Sequence, residues 1–215
     1  MKAGVIVFPG SNCDRDMLNA FEKVCKSVQF IWHKDSSIPN DIDLIAIPGG
    51  FSYGDYLRCG AIAASSNILS EIKKAADNGK YILGVCNGFQ ILTESGLLPG
   101  TLVRNKNLKF LSKIVQINTI SKNSKFTQNI KNNLMLPIAH HDGNYFCSDD
   151  ELKLLQDNDQ IAFEYHNNEN GSKANIAGIL NKRKNILGMM PHPERAIDKN
   201  VIGIDGLSIF ESLVS

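Results

Sequence analysis

The chain has 215 residues, 43% hydrophobic and 21% charged, with a formal net charge of +1; this is the profile of a soluble globular protein large enough for one proper core. With 23 basic residues against 22 acidic ones, nothing marks it as a binder of nucleic acid or of an anionic membrane surface. Its five scattered cysteines, Cys13, Cys25, Cys59, Cys86 and Cys147, include no CxxC pair, so neither a disulfide framework nor a zinc site is suggested and a reducing compartment fits.

The first apolar run, GVIVF (4–8), is broken by Pro9 and Gly10 well below the length of a signal peptide or membrane span. It reads as a strand, and a cytoplasmic location is expected. A helix follows near 14–26, where Met17, Leu18, Phe21, Val24 and Cys25 make one apolar stripe; Cys25 is therefore expected in the core. VQFIW (28–32) and LIAIP (44–48) are the next strands. A second helix is predicted over 66–78, with Ser65 or Ser66 as its cap and Gly79 just past its end. The continuous apolar strand YILGV (81–85) belongs in a sheet covered on both faces.

Beyond residue 100 the pattern changes to strands without long helices between them. KIVQINTI (113–120), LMLPIA (134–139), IAFEYH (161–166) and IAGIL (176–180), the last paired through NKRKN with ILGMM (186–190), read as antiparallel additions to the same sheet. DGLSIFESLV (205–214) is a closing helix with Leu207, Phe210, Leu213 and Val214 turned inward. No repeat or linker divides the chain. The expectation is a single domain over 1–215, three-layer α/β/α and flavodoxin-like, with a central mostly parallel sheet.

Gly84-Val85-Cys86-Asn87-Gly88, set between a strand and a helix, has the spacing of a nucleophile elbow with cysteine as the nucleophile. A sharp strand-to-helix bend crowds the positions two before and two after its apex, which is a reason for glycine at both. The bend lifts the sulfur to the C-terminal edge of the sheet and onto a helix N-terminus, a position that favours thiolate. Spacing alone leaves Cys86 equally readable as a small buried residue ending a core strand.

Among five histidines, His192 is the most constrained. Pro191 and Pro193 forbid a helix through it and favour an extended segment. There residues i and i+2 share a face, so Glu194 can orient the imidazole. Cysteine, histidine and carboxylate together make a nucleophile triad. PGGFSYGD (48–55) follows a predicted strand, and the N–H groups of Gly50 and Asn87 are the candidate oxyanion donors.

With elbow, glycine loop and His-Pro-Glu in place, the chain resembles the class I, triad-type glutamine amidotransferases. FPGSNCDRD, PGGFSYGDYLRCGAIA, GVCNGFQIL, GLLPG, PIAH, GNY and GMMPHPERA run from residue 8 to near the C-terminus. These longer motifs resemble the branch whose members are glutaminase subunits serving formylglycinamide ribonucleotide amidation in purine biosynthesis. The resemblance implies that Cys86, His192 and Glu194 hydrolyse L-glutamine and that Gln90 binds it. It implies no cofactor in this chain, with ATP and Mg on a large synthetase subunit and a small accessory subunit completing the complex. A stand-alone amidase or γ-glutamyl hydrolase, and a redox or chaperone protein of the same fold, are the alternative readings. In the redox and chaperone relatives a histidine commonly follows the cysteine, whereas Asn87 does here.

After PIAH the family usually runs Gly-Glu-Gly, and this chain has His141-Asp142-Gly143. A structural or interface role is expected for His140 and His141. Arg58, Arg104 and Asn105 lie in family-like stretches near the expected cleft, open between substrate and partner contact.

Overall fold

The computed structural model describes residues 1–215. Strand and helix alternate first, as β1 (Lys2–Val7), α1 (Asp14–Glu22), β2 (Ser27–Trp32), β3 (Leu44–Ile47), α2 (Ala61–Ala64), α3 (Asn67–Asp77), β4 (Tyr81–Val85) and α4 (Asn87–Glu94). The remainder contributes β5 (Thr101–Val103), β6 (Leu111–Thr119), β7 (Asn133–His140), β8 (Asn144–Phe146), α5 (Asp149–Asp157), β9 (Ile161–Tyr165), β10 (Ile176–Leu180), β11 (Ile186–Met189) and α6 (Leu207–Val214).

Nine strands form one sheet in the order β2-β1-β3-β4-β11-β10-β9-β6-β7. The first five are mutually parallel and give the 2-1-3-4-5 order of flavodoxin-like sheets. The last four continue antiparallel, as the change of pattern beyond residue 100 predicts. β3 and β11 are buried at every position, which matches their unbroken apolar sequences. One cluster of 55 residues makes the core; at one edge of it Phe21 of α1 meets Phe210 of α6 edge to face, with ring centroids 5.1 Å apart. No helix is long and apolar enough to cross a membrane.

Several local expectations change. α1 stops at Glu22, and the Cys25 N–H turns back onto the Phe21 carbonyl so that the chain can enter β2. Cys25 is consequently only partly buried. Ser66 does precede α3, but its hydroxyl is spent on the Ala63 carbonyl and caps nothing. Gly79 follows that helix with φ +83°, as a left-handed terminator should. The C-terminal half contains a nine-residue helix, α5, that its sparse apolar pattern hides, since only Leu155 of it is buried. Its start is fixed by a capping box between Ser148 and Glu151. β5 and β8 form a small separate sheet rather than joining the large one. In α6 the buried apolar residues are Ile209, Phe210 and Leu213, while Leu207 and Val214 are half-buried.

Candidate active site

The parallel strands β1, β3, β4 and β11 end at the same edge of the sheet, and the loop after each supplies part of one site. Cys86 sits at the apex beyond β4 with φ 52° and ψ −105°, a conformation costing on the order of 1–3 kcal/mol. The flanking glycines answer the crowding. A methyl on Gly84 would meet the Gly88 backbone at 2.8 Å, and one on Gly88 would run into the Ile47 carbonyl. The Cys86 N–H donates to the Met189 carbonyl at 2.8 Å, which straps the elbow to β11.

His192 is extended, with φ −96° and ψ 91°, and its N–H donates to the Pro137 carbonyl at 2.8 Å. The next residues do not stay extended: Pro193–Arg195 form a single 3₁₀ turn, a start that proline's fixed φ suits. The turn carries Glu194 back onto the imidazole. Nδ1 of His192 donates to Glu194 Oε1 at 2.6 Å, and both residues are 2% exposed. This bond fixes the tautomer and leaves Nε2 free; Nε2 is buried without a partner. Burial opposes a charge on this ring, but the Glu194 carboxylate, together with Cys86 and Cys13 beside it, outweighs burial and holds the His192 pKa well above its ordinary value.

Gly49 shows how tightly these groups converge. A methyl there would lie 2.7 Å from His192 Cε1, 3.3 Å from Cys13 Sγ and 3.4 Å from Cys86 Cβ. Cys86, His192 and Gly50 share a cavity of about 210 Å³ with Asn12, Cys13 and Arg195. Gly50 has φ +142°, and a methyl there would strike the Asn12 nitrogen and the Gly10 carbonyl at 2.5 Å. Its N–H makes no hydrogen bond within the chain. Asn87 opens α4, so its N–H has no intrahelical acceptor either. A thiol, an imidazole fixed by a carboxylate and two unspent backbone donors can together perform acyl transfer.

Residues 1–203 match the CobB/CobQ-like glutamine amidotransferase domain. The chain belongs to the glutamine amidotransferase family. Phosphoribosylformylglycinamidine synthase subunit PurQ of Ruegeria sp. (strain TM1040) is 54% identical to it over 99% of this chain and 97% of the relative. The subunit of that name from Ruegeria pomeroyi (strain ATCC 700808 / DSM 15171 / DSS-3) is 53% identical over the same shares. The structure of PurLQS from Thermotoga maritima contains a chain with TM-score 0.91 and 43% identity, covering 99% of this chain and 97% of that one. A glutamine amidotransferase from Thermotoga maritima, at 17% identity and TM-score 0.62 over 91% and 77% of the two chains, shares the fold.

In this amidotransferase the Asn87 side chain works as a clasp. Its Oδ1 accepts from the Ser52 N–H at 3.1 Å, and its Nδ2 donates to Gln90 Oε1 at 2.9 Å and Asp55 Oδ1 at 3.3 Å. Gln90 lies outside the lining of the cavity. It is 5% exposed, and its Nε2 donates to the Asp142 carbonyl at 2.7 Å. Asn105 is fully buried and braces the variant loop: Nδ2 donates to the carbonyls of His140 and Lys109, while Oδ1 accepts from the Gly143 N–H and contacts the His140 ring. Gly143 lies so close to the His140 imidazole that a side chain there could not fit. Burial pushes the His140 pKa down to about 4, so this ring is neutral at physiological pH. His141 packs edge-on against Phe110 of the cavity wall at 5.3 Å. Arg104 pairs with Asp142, and Arg58 with Glu94.

Cys13 and Arg195 complete the site without having stood out in the sequence. The Arg195 Nη2 donates to Cys13 Sγ at 3.1 Å and its Nε to Asp16 at 3.1 Å. The one signal available for Cys13 was its place in a glycine-containing loop directly after the first strand.

Proposed function

We propose that this chain is the glutaminase subunit of a phosphoribosylformylglycinamidine synthase, a reading its relatives' names support. It hydrolyses L-glutamine to glutamate and ammonia, and a synthetase subunit uses the ammonia to amidate formylglycinamide ribonucleotide in purine biosynthesis. The observation that carries the assignment of roles is the pair formed by His192 and Glu194, whose free Nε2 shares a cavity with Cys86.

With the proton held on His192 Nε2, Cys86 Sγ attacks the side-chain carbonyl carbon of glutamine as the thiolate. The developing oxyanion takes hydrogen bonds from the Gly50 and Asn87 N–H groups, each worth about 3 kcal/mol in a dry site. As the tetrahedral intermediate collapses, His192 returns the proton to the departing nitrogen and ammonia leaves. Water then loses a proton to the same imidazole, attacks the γ-glutamyl thioester and releases glutamate, and the thiolate is restored. Glu194 holds the ring in the tautomer that presents Nε2 and stabilises its charged form. Gln90 binds the substrate or, through Asn87 and the Asp142 carbonyl, shapes the loops that do.

ATP and Mg²⁺ belong to the large synthetase subunit, and a small accessory subunit completes the assembly. The single core supports one amidotransferase domain over residues 1–215. We place the protein in the cytoplasm, where five unpaired cysteines stay reduced. Cys86→Ala should abolish glutamine-dependent turnover in the assembled complex while ammonia-dependent synthesis continues. Loss of both activities in a folded complex would assign Cys86 a structural role instead.

A further inference from the structure

We propose that His33 and Tyr53 are positioning residues for the reaction: their hydrogen bond, made outside the cavity, is a latch that holds the oxyanion donor Gly50 in place. This assignment rests on the proposed glutaminase role. The loop after β3 is bent against its own preferences. Gly50 has φ +142° and Gly54 φ +77°, where glycine relieves the strain, but Tyr53 and Asp55 adopt φ 54° and 53° with side chains attached. Such conformations persist only where the surroundings over-determine them. The contacts that hold this loop therefore also set where the Gly50 N–H points.

On the inner side the contacts are the Asn87 clasp on Ser52 and Asp55. Along the backbone, the Phe51 N–H donates to the Gly10 carbonyl at 2.8 Å and the Tyr53 N–H to the Pro9 carbonyl at 2.7 Å. On the outer side the anchor is a side chain: the Tyr53 hydroxyl donates to His33 Nδ1 at 2.6 Å. His33 is itself held firmly. It follows β2, its N–H donates to the Val7 carbonyl at 3.1 Å, and it is 6% exposed. Its ring lies 4.4 Å from that of Trp32, 5.4 Å from that of Tyr53 and 5.9 Å from that of Phe8.

Burial holds the imidazole below its ordinary pKa, so the neutral ring offers Nδ1 as an acceptor. Its Nε2 is buried without a partner, which leaves the bond to Tyr53 as the hydrogen bond of this side chain. Neither residue lines the cavity, and no step of the chemistry uses either. Without the bond Tyr53 is free to leave its left-handed backbone, and the relaxation reaches Gly50 three residues away. A displaced donor weakens an interaction that strengthens as the oxyanion develops, so the loss falls on kcat.

The test compares Tyr53→Phe, His33→Leu and His33→Asn, the last of which keeps an acceptor close to the place of Nδ1. In the assembled complex Tyr53→Phe and His33→Leu should each lower glutamine-dependent kcat about tenfold, a fraction of the loss from deleting an oxyanion donor outright, with KM held within about twofold. Combined, they should cost no more than either alone, since both break one bond, and His33→Asn should recover most of the rate. Iodoacetamide is the second probe, applied to the free chain and followed by peptide mapping. The Cys86 sulfur displaces iodide from a saturated carbon and no oxyanion forms, so every variant should be alkylated there at the unmodified rate. Should His33→Leu fail to fold, as judged by circular dichroism, Tyr53→Phe decides alone. Unchanged kcat in Tyr53→Phe, a loss confined to KM, alkylation slowed in step with turnover, or losses that multiply in the double variant overturns the proposal. An unmodified complex without glutamine-dependent turnover would sink the proposed function, and the latch with it.

Discussion

Gly49→Ala separates the chemistry of the site from the stability of the fold. Gly49 has no positive φ, so alanine introduces no backbone strain there; everything the substitution does is done by one methyl. That methyl would sit 2.7 Å from His192 Cε1, about 0.7 Å short of ordinary contact. The imidazole has little room to yield, because its Nδ1 is tied to Glu194 at 2.6 Å and its backbone to Pro137. Overpacking of this kind costs about 1–3 kcal/mol. A displacement approaching 1 Å at a reacting group costs on the order of 100-fold in rate. The assay is glutamine-dependent and ammonia-dependent turnover of the assembled complex, with a thermal melt of the free chain. Glutamine-dependent kcat/KM should fall by about two orders of magnitude while the ammonia-dependent rate holds. Gly96→Ala is the control: Gly96 has φ +72° and a methyl there would meet nothing within 4 Å, so it should lose about 1 kcal/mol of stability and no activity. A Gly49→Ala protein that melts normally and turns over glutamine at the unmodified rate would refute the convergence of these groups.

Glu194→Gln should lower glutamine turnover on the order of 10⁴-fold, the loss seen when a triad carboxylate becomes an amide. With the carboxylate gone, burial becomes the dominant influence and the His192 pKa should drop below its ordinary 6.5, which an imidazole NMR titration reads directly. In the unmodified chain the raised pKa means that the stability contributed by the protonated ring is complete below pH 6.5 and fades as pH rises through the raised folded value. Urea midpoints measured upward from pH 6.5 should show that decline in the unmodified chain and lack it in the variant. Asn105→Ala strips partners from the buried Gly143 N–H and the His140 carbonyl; at about 1–3 kcal/mol for each group left unpaired, urea unfolding should register a loss of several kcal/mol. A loss under about 1 kcal/mol, the floor for one unpaired group, would show that Asn105 does not brace this loop.

Legibility followed the range of the forces involved. Gly84 and Gly88 could be read because local crowding at the elbow demands them, and the structure shows which atoms do the crowding. His192 and Glu194 could be paired from the prolines around them, although the carboxylate reaches the ring through a 3₁₀ turn and not along an extended strand. α5 announced itself only through Ser148 and Glu151, since a helix that buries a single leucine has almost no apolar stripe. Cys13, the bracing role of Asn105 and the clasp role of Asn87 were out of reach for a different reason. Their partners lie on other loops, and nothing in local spacing encodes a contact made only when the sheet has assembled.

That assembly explains how a strained cysteine can be held in place. Each loop of the site is strapped to a neighbouring segment by a hydrogen bond: the Cys13 N–H to the Gly49 carbonyl, the Ser52 N–H to Asn87 Oδ1, the Cys86 N–H to the Met189 carbonyl and the His192 N–H to the Pro137 carbonyl. No strap joins residues close in sequence, so none forms until β1, β3, β4, β11 and β7 are in place. The backbone strain at Cys86 is thus borne by the sheet as a whole and not by the elbow, which is why its geometry persists in a conformation that an isolated peptide would leave. The same arrangement makes the position of His192 relative to Cys86 a property of strand register. A change that slides β11 against β4 by one residue would turn its side chains to the opposite face and separate imidazole from sulfur while leaving each loop's own sequence intact.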